Sequence, residues 1–210
     1  YFRHLWLDSV SQHQGHRILL LVEEPKMTAL FGHASAATAE LAQALNIPIK
    51  AVADSDISLA VFVINAQTGI DQKTIDLWHE FDELLTPRLL LVSDIAKGEQ
   101  DFDDAVLIAK RVLDDVATPY LVLHDDSGSP AGLINLETLQ IKDYQSNSKF
   151  AADTEHKQLV EDFRKEYLAQ LEASGASGYE EGIFFPAIPI QLPKLGIDIA
   201  LDLIRRITKP

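Results

Sequence analysis

The apolar run Thr28-Ala29-Leu30-Phe31 leads directly into Gly32-His33-Ala34-Ser35-Ala36-Ala37-Thr38-Ala39, and a helical pattern follows. That is the frame of the phosphate-binding loop G-x-x-x-x-G-K-[ST]. In that loop backbone amides cradle the phosphates, the lysine reaches the β- and γ-phosphates and the hydroxyl holds Mg²⁺. The chemistry is not kept. Ala37 stands at the second glycine, Thr38 at the lysine and Ala39 at the hydroxyl position. A single glycine followed by small residues also serves as a plain strand-to-helix turn, so Gly32 alone decides nothing.

Other reactive groupings are thinner. His13 and His16 are spaced to share a helical face, but two imidazoles without a third ligand do not make a metal site. His124-Asp125-Asp126 carries metal-binding side chains, yet Ser127-Gly128 follows at once and gives the stretch the chemistry of a solvated turn. No serine stands in a G-x-S-x-G elbow. The absence of cysteine removes thiol nucleophiles, disulfide frameworks and Cys-based zinc sites together. No residue is expected to be catalytic, and no metal is expected.

Short apolar runs rich in β-branched residues alternate with stretches of helical period, the pattern of βαβ units around a mostly parallel sheet. Strands are predicted at Arg17 to Val22, Thr28 to Phe31, Ile47 to Ala51, Leu59 to Ile64, Arg88 to Val92, Tyr120 to Leu123 and Phe185 to Ile190, together one open sheet. Helices are predicted at Ala36 to Leu45, stopped by Asn46 and Pro48, and at Gln72 to Leu85, Phe102 to Val116, Thr154 to Leu171 with Thr154 as N-cap, and Ile197 to Ile207. Trp78 and Phe81 fall on the apolar stripe of their helix and read as core. From Asp125 the pattern changes to turn chemistry, then one strand over Gly132 to Ile141, which reads as an insertion. Ala173 to Gly178 reads as a linker.

At 210 residues the chain is long enough to bury a core without staples. Eighteen Lys or Arg against 32 Asp or Glu give a net charge of −14, a field that repels nucleic acid and anionic lipid. The charge is uneven: residues 54–126 hold sixteen acidic against five basic residues, which suits solvated faces or a surface that selects a basic partner. No apolar run approaches a membrane span, and the start of the chain lacks signal-peptide features, so a cytoplasmic location is expected. The chain opens at Tyr1 and closes at Lys209-Pro210 after a helical pattern, as a piece of a longer protein would.

A set of collinear motifs resembles the G domain of elongation factor G and its translational GTPase relatives. Ser58 to Gln72 is similar to the family's strand, acidic residue, glycine-containing turn and helix. Arg88-Leu89-Leu90-Leu91-Val92-Ser93-Asp94-Ile95-Ala96 resembles the strand carrying the N-K-x-D guanine motif, and Gln100 to Ala105 the start of the next helix. Ala131-Gly132-Leu133-Ile134-Asn135-Leu136 resembles the K-G-V-V-D-L strand of an inserted subdomain. Phe184-Phe185-Pro186-Ala187 resembles F-F-P-V, and Gly196 to Asp202 the closing G-V-x-x-L-L-D helix.

The resemblance implies an α/β fold with a doubly wound, mostly parallel sheet of P-loop NTPase type. It covers residues 27–210 with an inserted subdomain at about 125–180, and leaves residues 1–26 without an assigned role. It also implies where nucleotide would bind: Gly32, Ala37, Thr38 and Ala39 for the phosphates, and Ser93, Asp94 and Ala96 for the base. Most of these depart from the family's chemistry. Ala96 puts a methyl group where a carboxylate would read guanine, and Ile190-Gln191-Leu192 replaces the later G-S-A loop. His33 is similar to the family's loop histidine, or caps the turn. About a dozen residues separate the first helix from Ile57, too few for the switch segments that place Mg²⁺ and the attacking water.

The expected function is therefore that of an elongation-factor-G-like domain without GTP binding or hydrolysis, serving as an interaction module. Its expected partner is a protein, with the ribosome or translation machinery reached through other domains and no direct nucleic acid or membrane contact. The alternatives are weak binding of GTP or GDP with Mg²⁺ at Gly32 to Ala39, and a flavodoxin-like binding domain.

Overall fold

The computed structural model describes residues 27–33, 36–96, 101–114, 116–175, 178–179 and 181–208. The predicted strand Arg17 to Val22, the His13 and His16 pair and Gln100 lie outside them. Four long apolar runs form the centre: β1 (Met27–Gly32), β2 (Ile57–Asn65), β3 (Arg88–Ser93) and, much later, β9 (Phe185–Pro189). They are parallel, and with the two-residue strand β4 (Val116–Ala117) they make a five-stranded sheet in the order β1-β2-β3-β9-β4. Every residue of β3 and β9 is buried, as expected of strands covered on both faces.

Helices supply the crossovers that parallel neighbours require. The helix α1 (Thr38–Leu45) joins β1 to β2 and packs against the last helix, α6 (Ile197–Ile207). The next crossover, α2 (Gln72–Glu83), lies beside α3 (Phe102–Val112), where a ring nitrogen of His79 is 3.3 Å from the Val112 carbonyl. Trp78 and Phe81 of α2 are fully buried, as their spacing predicts. They meet Phe62 and Phe31, and Trp78 stands edge-on to Phe185 at 5.2 Å.

Between β4 and β9 the chain builds a second, antiparallel sheet from β5 (Tyr120–His124), β6 (Pro130–Asn135), β7 (Gln140–Asp143) and β8 (Ser148–Ala151), in that order. Two helices, α4 (Thr154–Leu159) and α5 (Glu161–Ser174), return toward β9.

Several expectations are corrected. The nine strands of the described residues form two sheets, and Tyr120 to Leu123 pairs with β6 instead of entering the parallel layer. Ile47 to Ala51 contributes only one parallel bridge, Leu30 to Ile49, on the outer side of β1. Gly132 to Ile141 is two strands, because the Asn135 carboxamide oxygen accepts from the Glu137 and Thr138 N–H groups and turns the chain. Thr154 to Leu171 is two helices meeting at buried Val160, and the N-cap is Asp153, which accepts from the His156 N–H at 2.9 Å. The helix from Phe102 ends at Val112, which frees Val116–Ala117 to pair with β9. Among the described residues no helix is long and apolar enough to cross a membrane.

Gly196 fixes the entry of α6. It is the N-cap with φ of 80°, and a Cβ there would run into the Pro189 carbonyl oxygen. Gly128 has nearly the same φ, 79°, but open space around it. Gly128→Ala should therefore cost about 1–2 kcal/mol from the left-handed backbone alone. Gly196→Ala should cost more, about 3 kcal/mol or above. Urea unfolding of the two variants checks the difference, and equal losses would refute the close-contact explanation.

Candidate functional site

The carboxyl ends of parallel strands are where an open α/β sheet usually meets its ligand, and here two of the central strands end there on a buried polar residue, Asn65 and Ser93. Gly32 ends β1, Asn65 ends β2 and Ser93 ends β3, with Asn65 and Ser93 in direct register. Asn65 is buried and works as a junction. Its carboxamide oxygen accepts from the Gln67 N–H at 2.8 Å and the Thr68 N–H at 3.2 Å, while its NH₂ donates to an Asp94 carboxylate oxygen at 2.6 Å. The Gln67 side chain donates to the Asp94 carbonyl at 3.2 Å. The Ser93 hydroxyl lies 3.2 Å from the Ala36 carbonyl and 3.1 Å from that of Ile64, so it ties the loop after β1 to the sheet.

The predicted phosphate positions fall on one turn. Ala37 is the N-cap of α1 with φ of 56° and ψ of 35°, the left-handed conformation a glycine adopts freely. Thr38 and Ala39 are the first residues of α1, Thr38 buried and Ala39 exposed. Glu40 also stands in this first turn, where a carboxylate favours the helix dipole and opposes an incoming anion. Gly32 has a structural reason to be glycine. A Cβ there would lie 2.5 Å from the Val63 carbonyl oxygen and 3.1 Å from the Thr38 methyl.

Of the predicted base positions, Ser93 is buried and Asp94 half-buried. Asp94, at φ of 57°, has its carboxylate held by Asn65. Ala96 is exposed in the turn that follows. The structure thus gathers Gly32, Thr38, Ser93 and Asp94 along one edge and leaves Ala39 and Ala96 at the surface.

Beside this edge lies a cavity of about 250 Å³ with mostly apolar walls, lined by His33, Ala36, Val63, Asn65, Ile70 and Asp71 among others. Asp71 caps α2, accepting from the Thr74 N–H and hydroxyl, each at 3.0 Å. Burial pulls its carboxyl up, but those hydrogen bonds and the nearby His33 imidazole outweigh that and hold it below the usual range. Sequence reasoning did not single out Asn65 or Asp71. The signal available was a short polar residue ending an apolar strand, and an Asp just before a helical pattern.

His124-Asp125-Asp126 forms the solvated turn that its neighbours suggest. The Asp125 carboxylate accepts from the Ser127 N–H and hydroxyl, the Ser129 N–H and the Gln145 amide. Among the described residues no group of three His, Asp or Glu could hold a metal ion.

The sequence matches no protein-family profile. The fold does have a counterpart: a crystal structure from Thermus thermophilus superposes with a TM-score of 0.68 over 85% of this chain at 17% identity. This is a likeness of fold. The chain spans 39% of that protein's length.

Two measurements follow. Asn65→Ala removes the partner of Asp94 and of two backbone N–H groups, and should cost about 2–3 kcal/mol in urea unfolding. Asp94→Asn keeps an acceptor for the Asn65 amide and should cost less than about 1 kcal/mol; equal losses would show that the junction is not what holds this edge. The hydrogen bonds from Ser127, Ser129 and Gln145 hold the Asp125 carboxyl down at about 2. Its contribution to the turn is therefore complete above the ordinary value of 3.8 and fades as pH falls toward about 2. An NMR titration midpoint at the ordinary value would refute this.

Proposed function

We propose that this chain is a degenerate G domain of the elongation-factor-G type, without GTP binding or hydrolysis, that serves as a protein interaction module. The parallel sheet with helical crossovers, read as a doubly wound layer of P-loop type, and the antiparallel insertion between α3 and β9 support the architecture. The fold likeness to part of a longer Thermus protein is consistent with a domain drawn from a larger chain.

The observation that carries the functional reading is the state of the strand-end edge. Side chains that could meet a ligand there are hydrogen-bonded to the protein itself, Asn65 to Asp94 and Ser93 to the Ala36 and Ile64 carbonyls. Phosphoryl transfer depends on positioning and charge neutralisation by a lysine, Mg²⁺ and a water-orienting residue. Thr38 and Ala39 offer neither the cation nor the metal-facing hydroxyl. Each lost charged hydrogen bond to phosphate costs about 1.5–3 kcal/mol. Losing several turns micromolar affinity into millimolar or none. A partner for this domain presents a basic or apolar protein surface, because the acidic stretch 54–126 opposes contact with RNA.

The left-handed backbone at Ala37 favours a second reading, in which backbone amides from Gly32 to Ala39 still bind GTP or GDP weakly with Mg²⁺. Titration calorimetry at about 100 µM protein separates the two. No heat with GTP, GDP or ATP is expected, and a dissociation constant below about 10 µM would overturn the first reading in favour of the second. Ala37→Gly, Thr38→Lys and Ala39→Thr together should create weak phosphate affinity without turnover. Hydrolysis above background by that variant would reveal a water-positioning segment elsewhere in the chain.

A further inference from the structure

A second cavity, of about 350 Å³, lies between the antiparallel sheet and α6. Its apolar lining comes from Leu133 of β6, Ile141 of β7 and Ile199 and Leu203 of α6, and charged side chains from the sheet and α6 share the wall. In register, Leu133 stands across from Lys142, and Lys142 across from Lys149, so three side chains on one face of the sheet line this cleft. Like charges directly across neighbouring strands repel. Lys142 has its counter-ion: the ammonium is 2.5 Å from one oxygen of Asp198, and the Tyr144 hydroxyl donates to the other at 2.7 Å. Lys149 is exposed and makes no ion pair among the described residues.

We propose that this cleft binds a small organic monocarboxylate, with its apolar body on Leu133, Ile199 and Leu203 and its carboxylate on the Lys149 ammonium. A concave cavity that joins an apolar floor to convergent polar groups is a usual form of small-molecule site, and here polar residues outnumber apolar ones in the wall. The anion supplies the counter-ion that Lys149 lacks and relieves its repulsion from Lys142. The single charge follows from the charges that line the cleft: Lys142, Lys149 and Arg206 against Asp198 and Asp202 leave one positive charge, which one carboxylate balances. Burial raises the Asp198 carboxyl, but the Lys142 and Tyr144 hydrogen bonds outweigh it, so Asp198 stays ionised and a dianion would leave the cleft with excess negative charge. This site lies between the antiparallel sheet and α6, shares no lining residue with the cavity at the strand-end edge, and is independent of the nucleotide reading.

The test is an NMR titration of the ¹⁵N-labelled full chain with 4-phenylbutyrate as probe and its neutral analogue 4-phenylbutyramide as control. The expected result is shifts confined to β6 through β8 and α6 that saturate by about 10 mM, with the amide at least about tenfold weaker. Lys149→Met should weaken the carboxylate by about tenfold and leave the rest of the spectrum unchanged, since the side chain is exposed. Failure to saturate by about 10 mM, shifts centred elsewhere, equal binding of the amide, or undiminished binding by Lys149→Met would each overturn the proposal.

Discussion

Parallel strands cannot be joined by a tight turn, so each neighbouring pair here depends on a helix that crosses over one face of the sheet. The packing follows from that constraint. With α1 and α6 paired, and α2 beside α3, β3 and β9 are buried along their whole length, and β3 is apolar from Leu89 to Val92. One polar side chain enters this layer from the amino end of β3. Arg88 is buried, stacks 4.0 Å from the Phe185 ring centroid, donates to the Trp78 carbonyl at 2.8 Å and pairs with Asp82. A buried guanidinium is tolerable when it is stacked, hydrogen-bonded and paired.

The same constraint shapes the opposite edge. Parallel strands all finish on one side, which leaves their last polar groups and the following loops to be satisfied together. A ligand commonly supplies those partners in open α/β sheets. Here Asn65 and Ser93 supply them from within, and the left-handed residues Ala37 and Asp94 let the loops close onto the sheet. An edge satisfied by the protein's own groups gains less from a phosphate, because binding would have to replace hydrogen bonds already made. The proposed absence of nucleotide binding therefore does not rest on the missing lysine alone.

What the sequence made legible follows burial. The strands β1, β2, β3 and β9 are continuous apolar runs because both faces are covered, and Trp78 and Phe81 repeat at helical spacing because one face is. Pairing was not legible: Tyr-Leu-Val-Leu at 120–123 reads as a buried strand whichever sheet it joins. The strands β7 and β8 are four residues each, and all of β8 is exposed, so neither leaves an apolar run to find. The break at Val160 has no glycine or proline to announce it. At the candidate site, the bonds from Gln67 and Thr68 to Asn65 are local and follow from residue type. The bond from Asn65 to Asp94 spans 29 residues and depends on the register of β2 with β3.

Gly32 shows how far a motif residue can be trusted. In sequence it stands where the phosphate-loop pattern has its first glycine, and on that ground it would argue for a bound anion. In the fold it sits at φ of 152°, with the Val63 carbonyl 2.5 Å from where a Cβ would be. That close approach comes from the pairing of β1 with β2, which places Gly32 across from Val63 whatever the loop beyond it binds. The packing alone therefore accounts for a glycine at this position. The residues free of that constraint are Ala37, Thr38 and Ala39. Ala37 is the most telling, because it holds a left-handed backbone that costs an alanine about 1–2 kcal/mol. A turn that holds this shape without a cation or a metal-facing hydroxyl is tied to the sheet behind it, through Ser93 and the Ala36 carbonyl, and that tie needs no nucleotide in front of it.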